Sequence, residues 1–340
     1  MTTIIDIAKR CGVAPSTVSR AINNRAGISD EIREKILEVV KEMGYHPNAP
    51  ARALVGCRTH TIGILVNRVS EPYYAGIVNG ALDTTDALGY YLLIGNTNDE
   101  NLDKLDPVNK LFTQGRVDGL IIVGGSIYDN EYINKLSGKD LPYVLVERYS
   151  SDAKVNCIDV DNASGGYLAT NHLIKLGHRR IGYLAGNPNY QQTYDRILGY
   201  HRALQEAGIS SDQALQAFCY FDEDKAYQGM KQFLALDNPP TAVFAADDSM
   251  AFGAIRAVFD SGLRVPEDIA VVGFDDIHQS SWNQPRLTTV HQPTYEMGEL
   301  AVKTLVKEIE GVLENKVKQI FPLELVIRDS CGAKLGLNKS

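Results

Sequence analysis

Apolar positions in the first 46 residues repeat with helical spacing in three short stretches. The first begins at Ile4 and is interrupted by Gly12. The second covers Pro15–Asn23, and proline suits the first turn of a helix. The third covers Ser29–Gly44, with acidic residues in its first turn and a glycine at its end. The pattern predicts three helices within residues 1–46.

The pattern changes after a polar stretch at residues 45–60, which contains two prolines and which we interpret as a linker. From there, short apolar runs alternate with helix-length segments. The runs lie at residues 62–66, 91–94, 119–123, 143–146, 181–185, 242–245 and 269–274. Strands that alternate with helices are typical of parallel sheets covered by helices on both faces. Seven such units are too many for one small sheet, so we predict an α/β fold with two doubly wound subdomains.

The composition fits this picture. With 340 residues, 44% hydrophobic and 22% charged, the chain resembles an ordinary globular protein of two or three domains. Its apolar runs fall far short of the roughly 20 residues that span a bilayer, and it opens with no secretory leader, so we expect a cytoplasmic protein without membrane contact. Five cysteines without a CxxC pair favour reduced thiols and give no zinc or other metal site.

The charge is distributed unevenly. Residues 1–60 contain nine Lys/Arg and six Asp/Glu, whereas the remaining 280 residues contain 25 Lys/Arg and 36 Asp/Glu. A polyanionic partner would therefore be bound near the N-terminus.

Residues 5–23 contain the most specific motif. Ala8, Val13 and Val18 are spaced to pack where two short helices cross at a tight turn. The second helix then presents small polar residues and Arg20, which suits a helix in the DNA major groove because arginine can bond guanine bidentately. The alternative is a three-helix docking module that binds no nucleic acid.

With these residues, the chain resembles the LacI/GalR family of bacterial transcriptional regulators over essentially its whole length. The resemblance implies a helix-turn-helix headpiece at 1–46, a hinge helix and linker at 47–60, a body at 61–330 and a tail at 331–340. Ala14 departs from the pattern, because a serine usually caps the recognition helix there. The DNA-binding residues that the resemblance implies in the headpiece are Pro15, Ser16, Thr17, Ser19, Arg20 and Asn23.

The linker resembles the family's hinge through Tyr45–Asn48 and Ala51–Leu54. In the family this segment folds as a helix on operator DNA. The resemblance implies that Arg52 contacts the DNA and that Leu54 inserts into the minor groove, where an apolar wedge kinks the duplex. Alternatively, Leu54 is an ordinary linker residue.

The body resembles the periplasmic sugar-binding fold, which has two Rossmann-like lobes joined by three crossovers. We expect an N-lobe from about 61–160 plus 292–320 and a C-lobe from about 161–290 plus 321–330. Ligands in such sheets bind beyond the carboxyl ends of the strands. The effector-binding residues that the resemblance implies are Tyr73, Tyr74, Glu147, Arg148, Arg196, Phe221, Asp247, Asp275 and Gln292.

The mixture of three carboxylates and two guanidinium groups among these residues suits a neutral polyol better than an anionic ligand. A purine-type effector is the alternative, because Tyr73, Tyr74, Phe221 and Arg196 would also serve it. Trp282 lies in the loop after the apolar run at residues 269–274, where it either lines the cleft or packs in the core.

We therefore expect a DNA-binding transcriptional repressor that acts as a homodimer on pseudo-palindromic operator DNA under the control of a small sugar. The C-terminus has no leucine heptads, so a coiled-coil tetramer is not expected. The alternatives from other classes are a solute-binding transport protein and an enzyme built on the same sheets. No nucleophile or acid–base motif, and no cofactor motif, supports the enzyme.

Overall fold

The computed structural model describes residues 2–22, 26–44, 58–96, 115–124, 141–148, 150 and 152–335. The chain divides into two compact units, residues 1–59 and 60–340.

The first unit contains three helices, α1 (Ile4–Cys11), α2 (Pro15–Ile22) and α3 (Asp30–Glu42). Thr3 begins α1 with a capping box, in which its hydroxyl and the Asp6 carboxylate each accept from the other residue's backbone N–H. Gly12 ends the helix in the left-handed region, at φ 68°. Ala8 and Val18 are buried in one small core, and Val13 packs against it, as their spacing predicts.

The second unit contains two six-stranded sheets. Its strands are β1 (Thr61–Val66), β2 (Tyr91–Asn96), β3 (Gly119–Val123), β4 (Tyr143–Val146), β5 (Asn156–Val160), β6 (Ile181–Ala185), β7 (Gln216–Phe218), β8 (Ala242–Ala245), β9 (Ala270–Asp275), β10 (Thr288–His291), β11 (Lys318–Phe321) and β12 (Glu324–Val326). Its helices are α4 (Pro72–Ala87), α5 (Asn162–Lys175), α6 (Gln191–Glu206), α7 (Glu223–Leu234), α8 (Asp248–Asp260) and α9 (Thr294–Glu310).

The strand order of the first sheet is β11-β5-β4-β3-β1-β2, and that of the second is β12-β10-β9-β8-β6-β7. We call the halves built on these sheets the N-lobe and the C-lobe. All described pairs are parallel except β10 with β12. The chain passes between the lobes three times, after β5, after β10 and after β11. The α/β class with two parallel-sheet subdomains is thereby confirmed.

The central strands are continuous apolar runs, as expected for strands that are buried on both faces. Strands β3, β4, β6 and β8 are buried along their whole length. The sequence pattern missed five strands, β5, β7, β10, β11 and β12. Only residues 292–293 lie between β10 and α9.

The end of the described chain completes the C-lobe. Ser330 Oγ donates to the carbonyl of Val271 (2.7 Å) and accepts from the N–H of Thr288 (2.9 Å), so it joins β9 to β10. Among the described residues, no helix is both long and apolar enough to cross a bilayer.

Candidate DNA-binding surface and ligand cavity

Helix α2 carries five of the predicted DNA-contacting residues. Pro15, Ser16 and Arg20 are exposed, while Thr17 and Ser19 are half-buried. The first turn of α2 closes on the carbonyl of Ala14, which accepts from the N–H of Thr17 at 2.9 Å. An alanine side chain offers no acceptor to the first-turn N–H groups, so this helix starts without the cap that a serine would give. Asn23, Arg52 and Leu54 lie outside the described residues, as does the hinge segment.

A cavity opens between the two lobes at the carboxyl ends of their strands. It encloses about 680 Å³ of space, including the mouth that opens to solvent, which is within the range of small-molecule sites. Its lining residues are Asn67, Arg68, Glu71, Tyr73, Tyr74, Glu147, Tyr190, Gln192, Arg196, Tyr220, Phe221, Asp247, Ser249, Asp275 and Ile277. Seven of the nine predicted effector residues are among them.

Arg196 lies at the centre of the C-lobe wall and is only 3% exposed. Its Nε donates to Asn162 Oδ1 (2.9 Å) and its Nη1 to the carbonyl of Ala246 (2.5 Å). The guanidinium lies 3.7 Å from the centre of the Phe274 ring, and Nη1 lies 3.8 Å from Asp275 Oδ1. A buried guanidinium fixed in this way presents its remaining N–H groups in one direction.

Two glycines explain how α6 brings Arg196 to the cavity. A Cβ on Gly199 would lie 2.1 Å from the carbonyl oxygen of Ala163, and one on Gly166 would lie 2.4 Å from that of Arg196. Helices α5 and α6 therefore touch backbone to backbone, an approach that only glycine permits.

Asp275 ends β9 with a backbone φ of 113°, in the region that disfavours residues with a side chain. Its Oδ1 accepts from Gln292 Nε2 at 2.7 Å. Burial raises the pKa of Asp275 well above its usual range, against the opposing effect of Arg196. Gln292 itself is 1% exposed and lies beneath Asp275, outside the cavity lining. Its amide holds a lining carboxylate, and its Oε1 accepts from the Tyr73 hydroxyl at 3.4 Å.

Asp247 caps α8, where its Oδ1 accepts from the N–H of Met250 at 2.6 Å. Burial raises the pKa of Asp247 to about 6, although Met250 and Arg196 favour the ionised form. Glu71, across the cavity on the N-lobe, raises it further by repulsion. The cavity thus brings carboxylates of both lobes together.

Glu147 supplies the N-lobe carboxylate that faces Arg196. Burial raises the pKa of Glu147 to about 7, while Arg196 and the hydroxyl of Tyr73 oppose the shift. Its Oε2 is buried and has no hydrogen-bond partner among the described residues. Arg148, which was predicted to act with Glu147, is half-buried and is not part of the lining. Both residues follow the end of β4, and Glu147 has a backbone φ of 59°, so the regular alternation of a strand does not determine which of them faces the cavity.

Aromatic side chains form the remaining walls. Tyr73 and Tyr74 pack edge to face with ring centroids 5.3 Å apart, and the ring centroids of Tyr190 and Phe221 lie 6.1 Å apart. Tyr190 was not predicted, although it follows β6 in the same way as the predicted residues follow their strands. Its hydroxyl accepts from Asn67 Nδ2 of the N-lobe at 3.0 Å, a hydrogen bond across the cavity. Trp282 is 59% exposed, which excludes a core position, and it does not line the cavity.

Backbone strain is concentrated around this cavity. Six non-glycine residues of the described chain have positive φ, and four of them line it: Glu147, Tyr220, Phe221 and Asp275. Such conformations persist only where the surrounding structure enforces them, and they are frequent at ligand sites.

Asp248, next to Asp247, holds the loop behind the cavity wall in place. Nothing in the sequence pattern indicated this structural role. Its carboxylate accepts from the N–H of Ile277 (2.9 Å) and from the hydroxyls of Ser280 (2.6 Å) and Thr289 (2.5 Å). These bonds fix the loop after β9 against β10. The described residues contain no group of His, Cys, Asp and Glu that could hold a metal ion.

Comparison with known proteins agrees with both units. Residues 3–48 match the model of bacterial regulatory proteins of the lacI family, and residues 170–331 match a periplasmic binding protein-like domain. The HTH-type transcriptional repressor PurR of Erwinia tasmaniensis is 38% identical over 325 residues, which cover 95% of each chain. The chain belongs to the lacI family of bacterial regulators.

Two solved structures extend the similarity to three dimensions. A lac repressor dimer bound to operator and the anti-inducer ONPF is 30% identical, with a TM-score of 0.84, and covers 97% of this chain and 99% of that one. A complex of the transcriptional regulator CelR with cellobiose is 32% identical, with a TM-score of 0.74, over 97% of this chain and all of the other. This LacI-family protein is accordingly a DNA-binding transcriptional repressor with an effector-binding body, and its relatives are regulators rather than enzymes.

Proposed function

We propose that this regulator represses transcription as a homodimer whose operator affinity is controlled by a small neutral sugar or polyol bound in the cavity. The choice of ligand rests on one observation: the carboxylates of the cavity offer more hydrogen-bond acceptors than its guanidinium groups can satisfy. Arg68 is paired with Glu71 at 3.1 Å, which leaves Arg196 against Glu147, Asp247 and Asp275. The buried, unpartnered Oε2 of Glu147 calls for a donor, and a ligand hydroxyl provides one without a charge. The cellobiose complex of CelR supports a sugar.

A purine-type effector is the second candidate. It is favoured by the aromatic side chains of Tyr73, Tyr74 and Phe221 and by the similarity to the repressor PurR. Flat rings stack on such side chains more readily than they satisfy three carboxylates.

A ligand panel on the full chain separates the two candidates. We expect ribose, glucose or cellobiose to raise the free energy of unfolding by about 2.7 kcal/mol at one hundred times its dissociation constant. Thermal shift would be measured beside glucose 6-phosphate, adenine, guanine and hypoxanthine. Stabilisation by purines alone would establish the second candidate, and stabilisation by the phosphosugar alone would contradict both.

Replacement of Arg20 by alanine tests the DNA-binding surface. Because Arg20 is exposed on α2, we expect a loss of roughly 1–3 kcal/mol in operator affinity and a relaxed preference at one base pair in each half-site. Selection from random duplex DNA would measure both. The control is Lys35→Ala on α3, also exposed, which removes the same charge and should leave the selected motif unchanged. An identical motif for wild type and Arg20→Ala would exclude Arg20 as a base reader.

The outer edge of the N-lobe sheet is the surface we assign to the second copy. Strand β2 ends the sheet, and Tyr91 and Ile94 are 77% and 44% exposed. Leu82 and Leu88 on the neighbouring α4 are 48% and 45% exposed. An exposed apolar edge of this kind is normally covered by a partner, and a two-fold operator requires a two-fold protein. The dimeric lac repressor supports this assignment.

Replacement of Ile94 by aspartate should therefore weaken the dimer at least tenfold, because a charge would be buried against an apolar partner surface. Sedimentation at micromolar concentration measures the mass. The control is Ile320→Asp on β11, the opposite edge of the same sheet, where the isoleucine is 50% exposed. Equal dissociation of both variants, or a monomeric wild type, would contradict the assignment.

A further inference from the structure

The guanidinium of Arg196 is held by a residue that lies directly on a connection between the lobes. Strand β5 of the N-lobe ends at Val160, and Asn162 is the first residue of α5 in the C-lobe. Its Oδ1 accepts from Arg196 Nε at 2.9 Å, and both side chains are buried, at 7% and 3% exposure. One residue, Asp161, therefore separates the last N-lobe residue of this crossover from the acceptor that orients Arg196.

Helix capping does not explain why a buried amide side chain stands at position 162. Capping of α5 is done by Asp161, whose carboxylate accepts from the N–H and the hydroxyl of Ser164. Asn162 Nδ2 makes a long contact of 3.5 Å with the carbonyl of Val160. The short bond from Arg196 is the strongest interaction of this amide that the structure describes, and it accounts for a polar group at so buried a site.

The other hydrogen bond and the ring contact of the guanidinium come from inside the C-lobe. Ala246 follows β8, and Phe274 lies within β9. The backbone contact between α5 and α6 fixes how far Arg196 lies from α5, but it leaves the rotation of the guanidinium free. Among the described contacts of Arg196, the bond to Asn162 is the one made with a crossover residue.

We propose that Asn162 is a positioning residue that orients Arg196 toward the ligand and links its orientation to the first interlobe crossover. This rests on the proposed function, in which Arg196 faces the effector. A change in the angle between the lobes moves Asn162 and with it the donor edge of Arg196. Conversely, a ligand bonded to Arg196 favours one crossover geometry, because linkage is reciprocal. Gln292 holds Asp275 in the same manner at the second crossover.

Two substitutions at this position separate hydrogen bonding from packing. Asn162→Leu keeps the approximate size but removes the acceptor, whereas Asn162→Asp keeps the acceptor and adds a charge. The first readout needs no effector: the rate at which phenylglyoxal modifies Arg196 in the full-length protein, followed by peptide mass spectrometry with the exposed Arg264 as internal reference. We expect at least a fivefold faster reaction in Asn162→Leu and a rate at or below that of wild type in Asn162→Asp.

The second readout is the dissociation constant of whichever sugar of the ligand panel stabilises the wild type. It should rise about tenfold or more in Asn162→Leu and stay within about threefold in Asn162→Asp. Unchanged Arg196 reactivity in Asn162→Leu would overturn the positioning role. If Asn162→Leu does not fold, Asn162→Ala is measured in the same two ways, and a modification rate in Asn162→Asp no higher than in wild type remains required. Absence of any sugar binding would contradict the proposed function while the reactivity measurement still decides the role of Asn162.

Discussion

Replacement of Arg196 by leucine should lower the free energy of unfolding by about 3–5 kcal/mol at pH 8 and by much less at pH 5.5. Removal of one partner from a buried ionic cluster leaves the other charges uncompensated, and this costs far more than the loss of a surface pair. Arg196 is the guanidinium that favours the ionised forms of Glu147, Asp247 and Asp275. Without it, these carboxylates face one another in a buried site.

The pH dependence follows from the raised pKa values of these carboxylates. In wild type, burial raises the pKa of Glu147 to about 7 and that of Asp247 to about 6, so the folded state binds protons that the unfolded state has already lost above about pH 4. This contribution to stability is complete below pH 4 and is lost as pH rises through 6–7. In Arg196→Leu the pKa values rise further, so the loss is larger and continues to higher pH.

The measurement is urea unfolding of both proteins between pH 5.5 and 8. Burial lowers the pKa of His172 and His201, which opposes the trend below pH 6.5, but this effect cancels in the difference between the two proteins. Arg202→Leu, on the same helix, is the matched control. It breaks an exposed pair with Glu206 and should cost at most about 1 kcal/mol. A pH-independent difference for Arg196→Leu would show that the carboxylates are not its partners.

Replacement of Gly199 by alanine is the second large effect that we expect. Alanine favours a helix by about 1 kcal/mol over glycine, yet its Cβ would lie 2.1 Å from the carbonyl oxygen of Ala163 and 2.5 Å from the N–H nitrogen of Tyr167. Backbone atoms cannot turn away as a side chain can, so α5 and α6 must separate. We expect a net destabilisation of about 2–3 kcal/mol, together with displacement of Arg196.

Gly229→Ala on α7 is the control, because its Cβ would meet side-chain atoms, Leu184 Cδ2 at 3.1 Å and Cys219 Sγ at 3.2 Å, rather than backbone. That variant should stay within about 1 kcal/mol of wild type. Denaturant unfolding measures both, and the phenylglyoxal reactivity of Arg196 reports its displacement. Equal stability of the two variants would mean that α5 and α6 can separate at little cost in free energy.

The sequence pattern predicted the parts of this protein that depend on burial. Long apolar runs such as β3 and β6 are covered on both faces, so their composition alone marks them as strands. Short edge strands such as β7 and β12 have half-exposed residues and depend on neighbours that are distant in the sequence. Their existence follows from the fold rather than from local composition.

The same distinction applies to the cavity. Asp275 and Phe221 line it as residues at or after strand ends should, and Arg196 reaches it from α6. Arg148 does not line it, because the side that a residue faces after a strand end depends on backbone angles such as the φ of 59° at Glu147. Gln292 does not because it is buried beneath Asp275. Asn162 gave no signal, because its partner lies 34 residues further along the chain.

The three passages between the lobes also determine the order in which the protein can be completed during synthesis. The headpiece has its own core once residue 44 has left the ribosome. Neither sheet is complete until β11 and β12 have been made, and Ser330 then closes the C-lobe. For most of its synthesis a nascent chain would therefore have a finished DNA-binding headpiece and an unfinished body. A chain that stops before residue 318 lacks an edge strand from both sheets, so premature termination should affect both lobes at once.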